Sequence, residues 1–472
     1  MTLSPQHLAR LPRHVVRPAY ERSASGVGVV HFGPGAFHRA HQAWFFESLL
    51  HGDPRWGISA VSLRSSDVRD ALAPQDCLYT LAIRDEMISY QVIGALREIL
   101  VAPEDPAAVL TRLCAPTTHL VTLTVTEKGY CLAGDGSLDL AHPDIRRDLQ
   151  NPRAPTSVIG FLVEGLRRRR ESGLPPFTVV SCDNLVDNGA RLARATAQLA
   201  STFDGDLARW IEGEVRFPRT MVDSITPATT DALKDSVASA LGVRDRWPVQ
   251  REAFVQWVIE DVFRHESPDW QRVGVTLTND VAGYDRAKLR LLNGAHSTLA
   301  YVGSLAGYVT VAEAMKDDEL RVFVQRLMLE DILPTLTAPR GLDLRTYVEA
   351  ILKRFRNPNM HHELAQIAWD GSQKLPFRIL GTVRDALAAG RPIDRLCVPL
   401  AAWMHFVRRA ALKGVRVKDP LAAQLFEIGQ ACDGHATADT SRFLALETVF
   451  PAELRSDSRF TRAVAQAYER WS

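Results

Sequence analysis

At 472 residues the chain is too long for one hydrophobic core, and 46% hydrophobic with 24% charged residues is the balance of a soluble globular protein. A formal net charge of +1 gives no electrostatic pull toward nucleic acid or an anionic membrane, and no apolar run reaches the roughly eighteen residues needed to span a bilayer. Six scattered cysteines without a Cys-x-x-Cys pair argue against a disulfide framework and a clustered zinc site; with no signal-peptide-like apolar stretch at the N-terminus, a cytoplasmic protein is expected.

Residues 1–25 read as a polar surface arm. A β-branched run over 26–33 predicts a buried parallel strand. It leads through Gly33-Pro34-Gly35-Ala36-Phe37-His38-Arg39-Ala40-His41 into a helical pattern over 42–50, and a second strand follows over 56–63. This is a βαβ unit opened by a glycine-rich turn, in which Gly33, Gly35, Ala36, Phe37 and Arg39 are candidate dinucleotide contacts. The third glycine of G-x-G-x-x-G is replaced by His38, so the turn taken alone reads equally well as an ordinary strand-to-helix connection. Further strands are predicted over 79–83, 90–94, 120–125 and 177–181, separated in places by helices over 106–114, 157–170 and 188–200. Such alternation implies a doubly wound α/β sheet. The arginine run 167–170 reads as the solvated end of its helix.

From about residue 285 helical periodicity dominates, over 311–329, 344–355, 362–369, 379–387 and 396–412, and strands nearly vanish. The expected organisation is a dinucleotide-binding domain over 1–284 and a mainly helical substrate and catalytic domain over 285–472. No internal repeat is evident.

Three polar clusters sit where strands of such a sheet should end, the usual place for ligands. They are Thr124-Val125-Thr126-Glu127-Lys128-Gly129-Tyr130, Ser181-Cys182-Asp183-Asn184 through Asn188-Gly189, and Phe217 through Met221-Val222-Asp223-Ser224 to Pro227. Each read singly is a loop whose side chains cap its own backbone. The fourth cluster is helical: Lys288, Asn293 and His296 lie within nine residues. At about 100° per residue they fall at 0°, roughly 140° and roughly 80°, with Asp285 at about 60°. Leu289 and Leu292 share that arc, so the polar groups should face a partly dry interior where the lysine ammonium is disfavoured and the amine can accept a proton.

Together these segments resemble the polyol-specific long-chain dehydrogenases, the family of mannitol 2-dehydrogenase and fructuronate reductase. The resemblance also rests on Gln256-Trp257-Val258-Ile259-Glu260-Asp261, Arg354-Phe355-Arg356-Asn357-Pro358 and Asp370-Gly371-Ser372-Gln373-Lys374-Leu375-Pro376, and covers roughly residues 26–385. It implies a Rossmann-type N-terminal domain, a mainly α-helical C-terminal domain and metal-independent hydride transfer. It further implies Lys288 as general base, Asn184 and Asn293 polarising the reacting oxygen, and His296 placing the substrate. Asp285 stands where relatives tend to have Glu, and Ser224 where they tend to have Arg.

Oxidising a secondary alcohol needs a base on the hydroxyl and donors around the developing alkoxide, and a lysine flanked by amides supplies both without an ion. No metal is expected: the pairs His38/His41 and His361/His362 lack a carboxylate or cysteine completing a recognisable ligand set. Thr126 and Glu127 are further candidates to touch the cofactor. Arg64, Ser65 and Ser66 after the second strand suit the 2′-phosphate of NADP, whereas Asp67 repels it; the resemblance favours NAD. Asp223, Asp285, Lys374 and Arg378 are candidate substrate contacts, the last two able to clamp a carboxylate. The expected partner is therefore a small polyol or keto-sugar acid, with no nucleic acid and no membrane, on a monomer or weak homo-oligomer. Mannitol oxidation at C2 is the first expectation, fructuronate or tagaturonate reduction the second, and a non-catalytic dinucleotide-binding protein a remote third.

Overall fold

A computed structural model describes residues 1–471. The chain divides into two compact units, Met1–Val281 and Ala282–Ser472. The first is organised by a five-stranded sheet: β1 (Val27–Phe32), β2 (Gly57–Ser62), β3 (Leu96–Val101), β4 (Leu120–Leu123) and β5 (Thr178–Ser181). Their order is β3-β2-β1-β4-β5 and every neighbouring pair is parallel. This is the Rossmann-type winding, with its reversal of strand order between β1 and β4. Val29, Val30 and Phe32 of β1 and Val121 and Leu123 of β4 are wholly buried, as the continuous apolar runs of a sheet covered on both faces require.

The helix Val158–Glu171 shows how the layers hold. Ser157 caps it, its hydroxyl accepting the Gly160 N–H at 2.9 Å, and Ile159, Phe161, Leu162 and Leu166 are fully buried. Each such side chain contributes about 1.5–3 kcal/mol relative to exposure. Phe161 packs on Phe32 of β1, which ties the helix to the central strand.

Several expectations need correction. The runs expected near 79–83 and 90–94 are strands, Tyr79–Arg84 and Ile88–Ile93, but they pair antiparallel in a separate four-stranded sheet. No apolar run announces the strand completing the Rossmann order, β3, because Arg97 and Glu98 interrupt it; both are half-buried, and Glu98 pairs with Arg112. A third sheet joins Thr220–Asp223, Gln256–Glu260 and Thr276–Thr278.

Among its described residues the second unit is built of helices joined by loops, with no strand apart from the isolated bridge between Thr310 and Glu363. The expected helix over 311–329 is broken into Val311–Ala314 and Asp318–Arg326, because Asp317 turns out of the helix and caps the second piece. Four stretches are π-helical: Lys288–Asn293, Leu299–Gly303, Leu327–Ile332 and Pro376–Leu380. Among the described residues no helix is long and apolar enough to cross a membrane.

Candidate active site

In the first unit a crevice of about 700 Å³ opens at the carboxyl ends of the parallel strands. It is lined by Gly33 and Gly35 beyond β1, Arg64 beyond β2, Pro103 beyond β3 and Thr126 beyond β4. This is where a wound α/β sheet receives a ligand. Gly33 has φ +90°, and a Cβ there would lie 2.2 Å from the Thr124 carbonyl oxygen, so only glycine allows the turn. The Thr124 hydroxyl donates to the Gly33 carbonyl at 2.7 Å and fixes the turn against β4. A crevice of this size behind a glycine turn fits a dinucleotide.

The missing third glycine has a structural answer. The His38 ring stacks flat on His31 of β1, with centroids 3.3 Å apart and planes 13° off parallel. A flat ring thus closes the gap between helix and strand that a glycine closes elsewhere. Burial depresses both imidazoles, His31 to about 3, so both are neutral.

The expected cofactor residues separate into two groups. Gly33, Gly35, Arg64 and Thr126 line the crevice; Ala36, Phe37, Asp67 and Glu127 are not among its lining residues. Phe37 stacks on His41 at 4.9 Å, Asp67 opens the helix Asp67–Leu72, and Glu127 opens a 3-10 turn, both acids exposed to solvent. Arg39 is corrected outright as a side-chain contact. It is buried between the Tyr79 and Trp247 rings and donates to the Trp247 carbonyl at 2.7 Å, holding the segment behind the turn. Sequence reading missed Asp144 and Arg147, which line the crevice from Pro143–Gln150, a strongly polar helix without an apolar run to announce it.

Cys131, His142 and Asp144 bring one ligand atom each within 4.8 Å of one another. His142 Nδ1, however, accepts the Asp144 N–H at 3.3 Å, the positive end of the Pro143–Gln150 helix opposes a cation, and burial pushes the Cys131 thiol up to about 12. We assign no metal to these side chains.

Thr126 is strained. Its φ of +65° and ψ of 164° fall in a region that is nearly glycine-only, at a cost on the order of 1–3 kcal/mol. Beyond β5 the loop carrying Asn184 is pinned on its far side by Asn188. The Asn188 amide donates to the carbonyls of Asp183 (3.2 Å) and Thr220 (3.1 Å) and accepts the Thr220 N–H at 3.0 Å. Asn184 itself is exposed to solvent, and Asp223 closes the neighbouring strand Thr220–Asp223, buried.

Val281–Ala287 is α-helical, and at Lys288 the helix widens to the π form up to Asn293. The Gly294 N–H reaches back five residues to the Leu289 carbonyl. A π turn takes roughly 4.4 residues, so five residues advance about 410°, and Asn293 comes to within about 50° of Lys288 rather than 140°. The three following residues are α-helical and bring His296 close to the same azimuth. Lys288, Asn293 and Asp285 are half-buried and His296 is buried. Gly294 allows the close approach behind them, since a Cβ there would lie 3.1 Å from the Arg378 carbonyl oxygen.

His296 lies 4.5 Å from the Phe355 ring and 5.0 Å, edge-on, from His362. Burial first, then His362, Arg354 and Arg378, hold its imidazole neutral well below the usual histidine range. The Arg378 guanidinium donates to the Ser297 hydroxyl at 3.1 Å and Lys374 Nζ to the Ile367 carbonyl at 3.4 Å. Neither cation has a carboxylate within ion-pair distance among the described residues. Burial and the neighbouring Arg378 lower the Lys374 ammonium's pKa.

Comparison with known proteins places the chain plainly. Residues 27–272 match the model of the mannitol dehydrogenase Rossmann domain, and residues 280–472 that of the mannitol dehydrogenase C-terminal domain. The D-mannonate oxidoreductase of Escherichia coli (strain K12) is 42% identical over 465 residues, 96% of this chain and 95% of that protein. The crystal structure of a D-sorbitol dehydrogenase in substrate-free form is 34% identical, with a TM-score of 0.93 over 99% of this chain and 98% of that one. The Pseudomonas fluorescens mannitol 2-dehydrogenase, in ternary complex with NAD and D-mannitol, is 37% identical, with a TM-score of 0.84 over 99% and 96%.

Proposed function

The chain belongs to the mannitol dehydrogenase family of oxidoreductases, and from that premise we propose that it transfers a hydride between NAD(H) and C2 of a hexitol or the matching 2-keto sugar, D-mannitol and D-fructose being the first pair. The observation that supports the reading most is the π turn Lys288–Asn293, at whose pitch an amine and an amide fall about 50° apart around a half-buried helix. NAD, when bound, accepts the hydride. Lys288 Nζ takes the hydroxyl proton, and the Asn293 amide donates to the oxygen as its charge develops; the family resemblance gives the Asn184 amide of the first unit the role of a further donor. Neutral His296 orients a neighbouring hydroxyl as donor or acceptor, and Asp285 adds a polar group on the same unit; Asp223 of the first unit is a further proposed substrate contact. Proton acceptor and oxyanion donors are then all supplied by side chains, and no metal is required. The glycine turn and the crevice fit support a dinucleotide; the mannitol 2-dehydrogenase relative, solved with NAD, favours NAD over NADP.

A second reading, a sugar acid as substrate, is favoured by Lys374 and Arg378, cations without a carboxylate ion-pair partner among the described residues, and by the 42% identity to a D-mannonate oxidoreductase. One experiment separates the two. Nicotinamide absorbance is followed with NAD(H) and NADP(H) against mannitol, sorbitol, arabinitol, fructose, fructuronate and tagaturonate. Turnover confined to the neutral pairs supports the first reading, turnover confined to the acids the second, and turnover with none overturns both.

A further inference from the structure

Asp183 lies between the strand β5 and Asn184, and no role in the chemistry falls to it so far. Its carboxylate points away from its own loop. One oxygen accepts the Thr126 N–H at 2.8 Å; the other accepts the Val125 N–H at 3.1 Å and the Tyr130 hydroxyl at 2.7 Å. All three donors belong to the segment beyond β4 that lines the cofactor crevice and contains the strained Thr126. The main chain of the same residue faces the other way. Its carbonyl accepts the Leu185 N–H at 2.8 Å and the Asn188 amide at 3.2 Å, so the residue before Asn184 is held from both sides. Tyr130 is buried and its hydroxyl also meets Ser181 Oγ, which ties the latch to the end of β5.

A carboxylate with two acceptor oxygens meets adjacent N–H groups in a way its amide does not. The amide keeps one acceptor and turns an N–H₂ toward the other donors. A β-branched residue with φ +65° reverts to the extended region unless its surroundings over-determine it. Burial raises the Asp183 carboxyl, and the three donors oppose that shift by favouring its ionised form.

We propose that Asp183 is a positioning residue. Through its carboxylate it holds the strained Thr126 backbone in the shape the dinucleotide needs, and through its main chain it fixes Asn184, so one residue couples the cofactor loop to the loop presenting the amide. The proposal rests on the dehydrogenase reading, and its test does not depend on knowing the sugar. NADH binding to the full-length protein is titrated by fluorescence in Asp183→Asn, in Thr126→Gly and in the double variant. Asp183→Asn is expected to weaken NADH at least tenfold. Glycine takes φ +65° without strain, so Thr126→Gly placed on Asp183→Asn should recover most of that loss. With any sugar the enzyme turns over, kcat should also fall at least tenfold in Asp183→Asn, and this loss should shrink in an Asn184→Ala background, because both variants spoil the same amide.

NADH affinity and kcat within twofold of the wild type, with only a lower melting temperature, would reduce Asp183 to a fold-stabilising residue and overturn the proposal. Weakened binding that Thr126→Gly leaves unrepaired overturns it too. If Asp183→Asn does not fold, Tyr130→Phe removes only a hydroxyl from the latch and should weaken NADH about threefold; unchanged affinity there counts against the latch. A wild type that binds no NADH would instead overturn the dehydrogenase reading, and the proposal with it.

Discussion

The crevice beyond β1 to β4 is shaped by main chain, whereas the candidate chemistry of Ala282–Ser472 is carried by side chains on one helical run. In the first unit a turn at φ +90°, a strained threonine and strand ends make a receptacle in which few side chains matter individually. In the second, Lys288, Asn293 and His296 matter as chemical groups, and a change of helical pitch sets their mutual angle. Main-chain sites tolerate replacement wherever φ and space allow it; side-chain sites do not tolerate loss of the reacting group. Variants that respect or break this division sharpen it.

The largest effect is expected at Lys288. Lys288→Ala should bind NADH within a few-fold of the wild type and lose alcohol oxidation by several orders of magnitude, since it removes both proton acceptor and alkoxide partner. Single-turnover kinetics beside a binding titration checks this. Gly33→Ala should do the reverse. A Cβ 2.2 Å from the Thr124 carbonyl forces the turn to move, so NADH affinity should fall by about a hundredfold, measured by titration. If Gly33→Ala spared cofactor binding, the main-chain account of the crevice would fail.

Arg378→Ala should raise KM for a carboxylate-bearing sugar by an amount equivalent to about 1.5–3 kcal/mol, the scale of a charge-assisted hydrogen bond, and raise it less for a neutral polyol. Parallel losses on mannitol and fructuronate would remove Arg378 from the choice of substrate. The smallest effect is expected at Arg64, exposed at the crevice rim. Arg64→Ala should weaken NADP(H) several-fold more than NAD(H) in paired titrations. Equal losses would mean that Arg64 meets parts shared by the two cofactors.

The same contrast decides what the sequence could disclose. β1, β2, β4 and β5 fall within a few residues of the runs that announce them, because strands buried on both faces are written as uninterrupted apolar segments. β3 escaped because Arg97 and Glu98 sit in a strand partly open to solvent. Gly33, Gly35, Arg64 and Thr126 were legible as crevice residues, since glycines and strand-end polar groups mark a turn in the sequence itself. Arg39 misled: an arginine in a phosphate-type turn looks like an anion ligand, and only tertiary packing shows its guanidinium spent on Trp247. The π turn was invisible. A periodicity of 3.6 presumes the α form, and at that pitch Asn293 stood far from Lys288 on the helical wheel. Nothing in its motif discloses the role of Asp183, because its partners lie more than fifty residues away in the chain.

The claim on which everything turns is that the Lys288 amine accepts the alcohol proton. Chemical rescue tests it most directly. Small primary amines are added to Lys288→Ala over a pH series, with the wild type run in parallel on mannitol or whichever sugar the screen identifies. Wild-type kcat/KM for oxidation should rise with pH as the Lys288 ammonium gives up its proton. No limb from His296 should appear near pH 6.5, because burial keeps that imidazole neutral to well below it. In the variant, added amine should restore part of the lost rate, saturably and in proportion to its free-base fraction. Near-wild-type turnover without amine, or a pH profile unchanged by the substitution, would contradict the assignment and move the base elsewhere, with His296 the next group to test.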